Sequence, residues 1–220
     1  MIKINRVQVL SQGTFPVPWL TVGLTLLMVV LFFMPERIFH LFLFDKQAIS
    51  HGELWRFITG HFIHCSFEHL FWDALAFVIL GTVIEFISRR HLIPSLIISC
   101  LGVSFWLFCD ETLKVMYCGL SGALNGMLVV AAVVLWKDTQ NGIYFLVIVA
   151  AIGKIVFELI THQTIFTGLS SQAVPSAHAA GIFSGICYIL CVEIIDTFLD
   201  RVLTKSETYT TNIREIDYGQ

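Results

Sequence analysis

Six long apolar runs constrain the fold of this chain more than any other feature. An α-helix needs about 20 apolar residues to cross the hydrocarbon core of a membrane. Charged residues make up only 13 % of the 220 residues, against about 25 % in soluble domains. We therefore predict an all-α membrane protein, a bundle of six transmembrane helices. The predicted spans are residues 17–35, 66–87, 91–109, 121–136, 142–160 and 176–199.

Lysine and arginine residues flank these spans unevenly, which predicts the orientation. If the N-terminus is cytoplasmic, the segments on the cytoplasmic side hold more lysine and arginine residues than those on the outer side. Both termini should therefore be cytoplasmic. We predict an N-terminal segment (1–16), a membrane domain (17–200) and a polar cytoplasmic tail (201–220) that is poorly ordered from Thr204. The inner basic residues are Lys3, Arg6, Arg89, Arg90, Lys137, Arg201, Lys205 and Arg214, and the outer ones are Arg37, Lys46, Arg56 and Lys114.

Charge and cysteine usage exclude several kinds of partner. The net charge of −3 gives no reason to expect nucleic-acid binding. The six cysteines form no CxxC pair, so neither a disulfide framework nor a zinc site is indicated. His61, His64 and His69 form no HExxH motif. We predict no metal and no cofactor, and a lipid bilayer as the surroundings.

Polar clusters stand at the start of the second, fourth and sixth spans. His64 and His69 precede or begin the second span, Ser121 begins the fourth and His178 lies near the start of the sixth. All three spans run from outside to inside, so the clusters should meet near the outer face. A serine hydroxyl becomes a useful nucleophile when a base lies within hydrogen-bond reach. Ser121 and His178 are therefore candidate catalytic residues.

Small residues next to this serine and histidine predict how the two helices pack. Gly122 and Gly126 form a small-xxx-small face, and Gly181 and Gly185 form another. Such faces let helix backbones approach closely, although most matches only pack helices. The fourth span is also short, about 24 Å from residue 121 to 136 at 1.5 Å per residue. Ser121 should therefore lie below the outer surface, beside a water-filled cavity or within protein.

Acyl transfer also needs hydrogen-bond donors for a developing oxyanion. The backbone N–H of Ser121 is one candidate and the His69 side chain is a second. Asp73 lies one helical turn after His69, on the same face. We expect His61 and His64 to be structural or interfacial.

The motifs, taken in order, resemble those of the rhomboid intramembrane serine proteases. They are Trp55-Arg56, His64-x-x-x-x-His69, Gly119-Leu120-Ser121-Gly122 and Ala177-His178-x-x-Gly181-x-x-x-Gly185. The resemblance implies a rhomboid-like bundle with Ser121 as nucleophile and His178 as base, a dyad without an acid. It also implies oxyanion support from His69 near Gly119, and a first outer loop at Trp55-Arg56 half-sunk in the outer leaflet.

Further stretches are similar to the rhombosortase branch of that family. They are residues 59–64 (TGHFIH), residues 119–126 (GLSGALNG), and Lys154 with Glu158 before His178. This resemblance implies a bacterial inner-membrane enzyme whose active site opens to the periplasm. Its substrates would be membrane-anchored proteins with a C-terminal GlyGly-CTERM tail: a Gly-rich motif, a transmembrane helix and a basic end. Cleavage would remove the tail, by hydrolysis or with transfer of the new C-terminus to another nucleophile.

Asp73 departs from the rhomboid pattern, in which many members have asparagine four residues after the second histidine. An ionised carboxylate would repel an oxyanion. It is either protonated by burial, paired with His69 so that it orients the imidazole, or turned away from the site. We favour the pairing, which predicts that Asp73→Asn folds and loses only part of the activity.

Lys154 and Glu158 place two charges well inside the fifth span, on one face. Charges at this depth are candidates for function. The alternative is a self-satisfied ion pair that locks the helix against its neighbours.

Three other classes of protein compete with the protease interpretation. Pro175-Ser176-Ala177-His178 resembles a lipid-phosphatase motif, but the chain has no Arg-Pro dipeptide, which that family needs. A transporter would need a broken midplane helix or an inverted repeat, and we find neither. An inactive rhomboid-like protein that binds or retains transmembrane clients is the remaining alternative, although such relatives usually lack the serine or the histidine.

Overall fold

A computed structural model of the chain describes residues 17–111, 116–161 and 174–217, with side chains described as far as residue 203. The predicted segment 1–16 and Lys114 lie outside the described residues. The larger helices are α1 (Trp19–Phe32), α5 (Phe67–Ser88), α6 (Leu92–Cys109), α7 (Ser121–Thr139), α8 (Ile143–Thr161) and α9 (Pro175–Asp217). Short elements occupy the connections: α2 (Glu36–Phe42), β1 (Phe44–Asp45), α3 (Lys46–Ser50), α4 (Arg56–Thr59), a 3₁₀ turn (Arg89–His91) and β2 (Met116–Tyr117).

Four described segments are long and apolar enough to cross a membrane, which supports a multi-pass membrane protein. They are Phe67–Cys109, Ser121–Thr139, Ile143–Thr161 and Pro175–Leu203. The first of these contains both α5 and α6. Helix α1 is apolar but has only 14 residues, so the predicted count of six spans is not established by length and composition. Helix α9 continues to Asp217, into the tail predicted to be poorly ordered.

Helix α7 lies at the centre of the bundle and packs against α5, α6, α8 and α9. Its buried residues are mostly glycine, alanine and valine, which let neighbouring backbones come close. Helix α8 buries only Ala151, Ile155 and Glu158 and presents large apolar side chains outward. That pattern is typical of a helix at the lipid-facing periphery.

The two glycine faces of α7 and α9 are in direct contact. A Cβ atom at Gly181 would lie 1.8 Å from the carbonyl oxygen of Gly122, and one at Gly185 would lie 2.4 Å from that of Gly126. No side chain fits at these distances. The close approach fixes the first turn of α9 beside the first turn of α7, where Ser121 lies.

At the opposite end of the bundle, buried and surface polar groups join the helix ends. The Glu85 carboxylate accepts hydrogen bonds from the N–H groups of Leu20 and Thr21, at 3.1 and 2.9 Å, and from the Thr21 hydroxyl. Glu85 therefore caps the start of α1. Arg90 pairs with Asp196 at 3.0 Å, and Lys137 pairs with Glu193.

The first loop is tied to the segment that precedes Ser121. Buried Arg56 donates to Glu53 and to the carbonyls of His40 and Leu43. The Trp55 indole donates to Leu41. Strand β1 pairs antiparallel with β2. The loop that contains the Trp-Arg motif is thus folded against the strand that leads into α7.

Candidate active site

Ser121 and His178 meet at one end of the bundle. Ser121 is the first residue of α7 and His178 lies in the first turn of α9. The Ser121 Oγ is 3.1 Å from the His178 Nε2, within hydrogen-bond distance. The His178 side chain is buried. The predicted nucleophile and base are therefore within reach of each other.

Glu158 contacts the other ring nitrogen of His178, a contact that the rhomboid resemblance did not include. Its Oε2 lies 2.8 Å from the His178 Nδ1, and its Oε1 lies 2.9 Å from the Lys154 Nζ. The Glu158 side chain is fully buried. A proton on the Nδ1 would be held by this carboxylate, leaving the Nε2 lone pair directed at Ser121. The resemblance implied a dyad without an acid, whereas in this structure a carboxylate contacts the predicted base.

The Asp73 carboxylate lies where two backbone amides converge. Its Oδ2 is 2.6 Å from the N of Leu120 and 3.1 Å from the N of Ser121. Asp73 itself is buried. Paired N–H groups beside a nucleophile are the usual donors to an oxyanion. A carboxylate oxygen already accepts from both of them here.

Two imidazoles contact Asp73, and only that of His69 was predicted to do so. The Nε2 of His64 is 3.1 Å from the Asp73 Oδ2, and the Nε2 of His69 is 3.4 Å away. The pairing with His69 is therefore present but is the longer of the two. His64 is fully buried at its side chain, so it belongs to this cluster and not to the membrane interface.

Gly119 is the residue that lets this segment pass over His69. Its φ is +102°, and a Cβ atom there would lie 2.4 Å from the His69 Nε2. Both the left-handed backbone and the short distance require glycine. The turn places the amides of Leu120 and Ser121 over α5. Across this turn, the Tyr117 hydroxyl accepts the Gly122 N–H at 3.3 Å.

His61, expected to be structural or interfacial, is buried between the first loop and α6. Its Nε2 lies 3.0 Å from the Cys100 carbonyl oxygen and 2.9 Å from the Ser104 Oγ. Complete burial lowers the pKa of His61 to about 4. The imidazole is therefore neutral at neutral pH, and it joins the first loop to α6.

Sequence reasoning missed three of these contacts. Lys154 and Glu158 were singled out as buried charges, but nothing in the spacing indicated that Glu158 faces His178. The contact between His64 and Asp73 was also missed. The two residues are nine positions apart and α5 begins between them, so the chain can fold back at the start of the helix and bring them together. The contact of the Tyr117 hydroxyl with the Gly122 N–H had no signal in the sequence.

The comparison with protein families bears on this geometry. The rhomboid domain family matches residues 51–193, about two thirds of the chain. The chain belongs to the rhomboid family. Rhomboid proteins are generally serine proteases that act on membrane-protein substrates within the bilayer, and inactive homologues also occur. The matched region contains every residue of the site described above. No curated protein matches the chain.

Proposed function

We propose that this rhomboid protein is an intramembrane serine endopeptidase with Ser121 as nucleophile, His178 as general base and Glu158 as the residue that orients His178. The observation that carries the proposal is the chain of short contacts from Ser121 Oγ to His178 Nε2, 3.1 Å, and from His178 Nδ1 to Glu158 Oε2, 2.8 Å. A nucleophile, a base and an orienting carboxylate in this order form the geometry of a serine-hydrolase triad.

In the first half of the reaction, the Ser121 Oγ bonds to the carbonyl carbon of the scissile peptide. Its proton passes to the His178 Nε2. The buried Glu158 carboxylate stabilises the resulting imidazolium through the Nδ1–H. Collapse of the tetrahedral intermediate breaks the C–N bond, and the imidazolium gives its proton to the departing amine. The products are an acyl-enzyme ester on Ser121 and a freed tail.

In the second half, His178 takes a proton from an acceptor that attacks the ester. Water would give a free carboxylate at the new C-terminus. An amine or hydroxyl of another molecule would give transfer of that C-terminus. In both routes the ester bond between the acyl carbon and the Ser121 Oγ breaks, and the His178 imidazolium gives its proton to that oxygen. The Ser121 hydroxyl is thereby restored, so the site geometry is compatible with either outcome.

The oxyanion would be held by the N–H groups of Leu120 and Ser121. Asp73 Oδ2 accepts from both, so the substrate carbonyl has to displace it. His64 and His69 lie next to the carboxylate and can hold it after displacement. The resting site is therefore closed by its own carboxylate until a substrate binds.

We also propose that α1, α5, α6, α7, α8 and α9 each cross the membrane. The segment Phe67–Cys109 has 43 residues, about twice what one crossing needs, and the 3₁₀ turn Arg89–His91 divides it. Arg89, Arg90 and Lys137 lie at the end of the bundle opposite Ser121. By the positive-inside rule that end is cytoplasmic, and the active site opens to the periplasmic side of a bacterial inner membrane.

The substrates we propose are exported proteins anchored by a C-terminal GlyGly-CTERM-type tail. The similarity of residues 59–64 and 119–126 to rhombosortases supports this class, as do Lys154 and Glu158. The Gly-rich motif of these substrates would present an extended, unhindered peptide to Ser121. A substrate helix ending in basic residues is held with those residues on the cytoplasmic side. Its Gly-rich motif then lies at the depth of the site.

The test uses full-length protein co-expressed with a reporter that carries such a tail. Wild type is compared with Ser121→Ala and His178→Ala, and a reporter whose glycines are replaced by leucine serves as the substrate control. We expect tail removal only with wild type and the Gly-rich reporter, and the mass of the new C-terminus separates hydrolysis from transfer. Tail removal that persists in Ser121→Ala would exclude the proposal.

One observation favours a second function, a rhomboid-like protein that binds transmembrane clients without cleaving them. The carboxylate of Asp73 occupies the two amides that an active protease would use. In that case the reporter is co-purified intact by both wild type and Ser121→Ala, and neither variant removes its tail.

A further inference from the structure

Cys65, His69 and Cys118 form a cluster beside the candidate active site. Their two sulfur atoms and one imidazole nitrogen all lie within 4.8 Å of one another. Cys65 precedes α5, His69 lies in its first turn, and Cys118 follows β2. The residues are separated by four and by forty-nine positions in the sequence, which is why no CxxC spacing announces them. None of the three contacts Glu158 or His178 in the protease geometry described above.

The separation of the donor atoms fits a tetrahedral zinc ion. With a Zn–S length of about 2.3 Å and a Zn–N length of about 2.05 Å, tetrahedral angles place a sulfur and a nitrogen ligand about 3.6 Å apart. The Cys65 Sγ and His69 Nδ1 are 3.6 Å apart. Two sulfur ligands would be about 3.8 Å apart, inside the 4.8 Å limit of the cluster.

The other nitrogen of His69 lies next to a carboxylate. When the Nδ1 binds a metal, the Nε2 carries the proton and donates it. The Nε2 lies 3.4 Å from the Asp73 Oδ2. A carboxylate on the far side of a ligating histidine fixes the tautomer and strengthens the ligand.

The backbone around the cluster is held on both sides. The Ser66 hydroxyl caps α5 by accepting the His69 N–H at 3.2 Å, which orients the histidine. The Gly119 N–H donates to the Gly60 carbonyl at 3.1 Å, next to Cys118. The ligands therefore come from two segments that are already fixed relative to each other, and Cys65 is exposed enough for an ion to enter.

We propose that Cys65, His69 Nδ1 and Cys118 bind a zinc ion, with water as the fourth ligand. Two thiolates and one imidazole with an open position are a recognised zinc donor set. The ion ties the segment that delivers Leu120 and Ser121 to the start of α5. It also keeps the proton of His69 on the Nε2, facing Asp73 and the two amides. This last consequence rests on the proposed protease function, but the metal binding does not.

The experiment measures metal binding directly on purified full-length protein in detergent, reduced with a phosphine and freed of metal. The protein carries Ser121→Ala so that catalysis plays no part. Co²⁺ is titrated as a spectroscopic probe, and Zn²⁺ is then added in competition. We expect one tightly bound Co²⁺ per chain, with tetrahedral d–d bands and a thiolate-to-metal charge-transfer band, displaced by Zn²⁺.

Four variants test this assignment of the ligands. Cys65→Ser and Cys118→Ser should each weaken Zn²⁺ binding at least about 100-fold and remove charge-transfer intensity. Cys109→Ser, at the end of α6 and outside the cluster, should bind like the parent. Asp73→Asn should weaken binding about 10-fold. The thermal unfolding temperature should rise with Zn²⁺ in the parent and in Cys109→Ser, rise less in Asp73→Asn, and stay nearly unchanged in Cys65→Ser and Cys118→Ser.

Two results would overturn the proposal. One is reduced parent protein that gives no tetrahedral Co²⁺ spectrum. The other is an intact mass, before reduction, that shows a Cys65–Cys118 disulfide while reduced protein binds no metal. Failure of the tail-removal assay with normal Zn²⁺ binding would count against the protease function alone.

Discussion

The buried Glu158 carboxylate gives the most specific prediction about catalysis. In Glu158→Gln the shape of the side chain is kept, but the negative charge that faces the imidazole is lost. The carboxylate is fully buried and 2.8 Å from His178, so solvent does not replace its effect. A hydrogen bond to a charged group contributes about 1.5–3 kcal/mol. We therefore expect the reaction at Ser121 to slow about 10- to 150-fold.

The assay does not depend on knowing the substrate. A fluorophosphonate probe reacts with an activated serine, so its labelling rate reports how well His178 activates Ser121. With a cleavable reporter, the loss should appear in kcat and leave KM nearly unchanged, because Glu158 stabilises charge that develops only during the reaction.

A matched pair of variants separates this role from a structural ion pair. Glu158→Gln leaves the Lys154 ammonium next to a neutral amide, and breaking such a pair destabilises the fold. Lys154→Met/Glu158→Gln removes the unpaired charge and should restore the unfolding temperature. We expect its labelling rate to stay as low as in Glu158→Gln. Labelling that returns to the wild-type rate in the double variant would refute the reasoning, as would a rate within twofold of wild type in Glu158→Gln.

Three further predictions concern helix packing, the amide pair and pH. Gly181→Ala should lower the free energy of unfolding by about 1–3 kcal/mol, because the methyl group would meet the Gly122 carbonyl. Gly153→Ala, which has open space around it, should not lower it, and thermal unfolding in detergent compares the two variants. Asp73→Asn should raise kcat/KM several-fold, because a neutral amide holds the two backbone N–H groups less strongly than a carboxylate. If reporter cleavage falls instead, the main role of Asp73 is its pairing with His69. The pKa of His61 is lowered to about 4, so the stability that its neutral form contributes is complete above about pH 6.5 and is lost as the pH falls toward about 4. Over that pH range the unfolding temperature should fall less in His61→Gln than in wild type.

Much of the site could be predicted because topology determines it. Spans that run in the same direction bring their starts to one face, so Ser121 and His178 belong at one level whatever the details of packing. The glycine faces then indicate which helices touch. These two signals predict that Ser121 and His178 lie close together, without any knowledge of side-chain geometry.

The remaining contacts depend on rotations and distances that spacing does not fix. Glu158 faces His178 only because α8 has one particular rotation about its axis, and its period alone allows several. Asp73 was expected to pair with His69, but the turn at Gly119 brings the amides of Leu120 and Ser121 closer to it than the His69 imidazole. Cys65 and Cys118 lie close together where the segment after β2 lies against the first loop, with the Gly119 N–H donating to the Gly60 carbonyl, and such a loop contact leaves almost no pattern in the sequence.

The membrane topology was also only partly predictable. Helices α7, α8 and α9 have the length and hydropathy of spans. Helix α1 falls short in length, and its start is held by Glu85 rather than by an apolar flank. Composition alone does not decide whether such a helix crosses the bilayer.

The most direct test of the central claim is to map where a fluorophosphonate probe becomes attached on the purified protein. We predict one adduct, on the peptide that contains Ser121, absent in Ser121→Ala and formed much more slowly in His178→Ala and Glu158→Gln. An adduct on another residue, an adduct that persists in Ser121→Ala, or no adduct on well-folded wild type would contradict an activated serine at the start of α7.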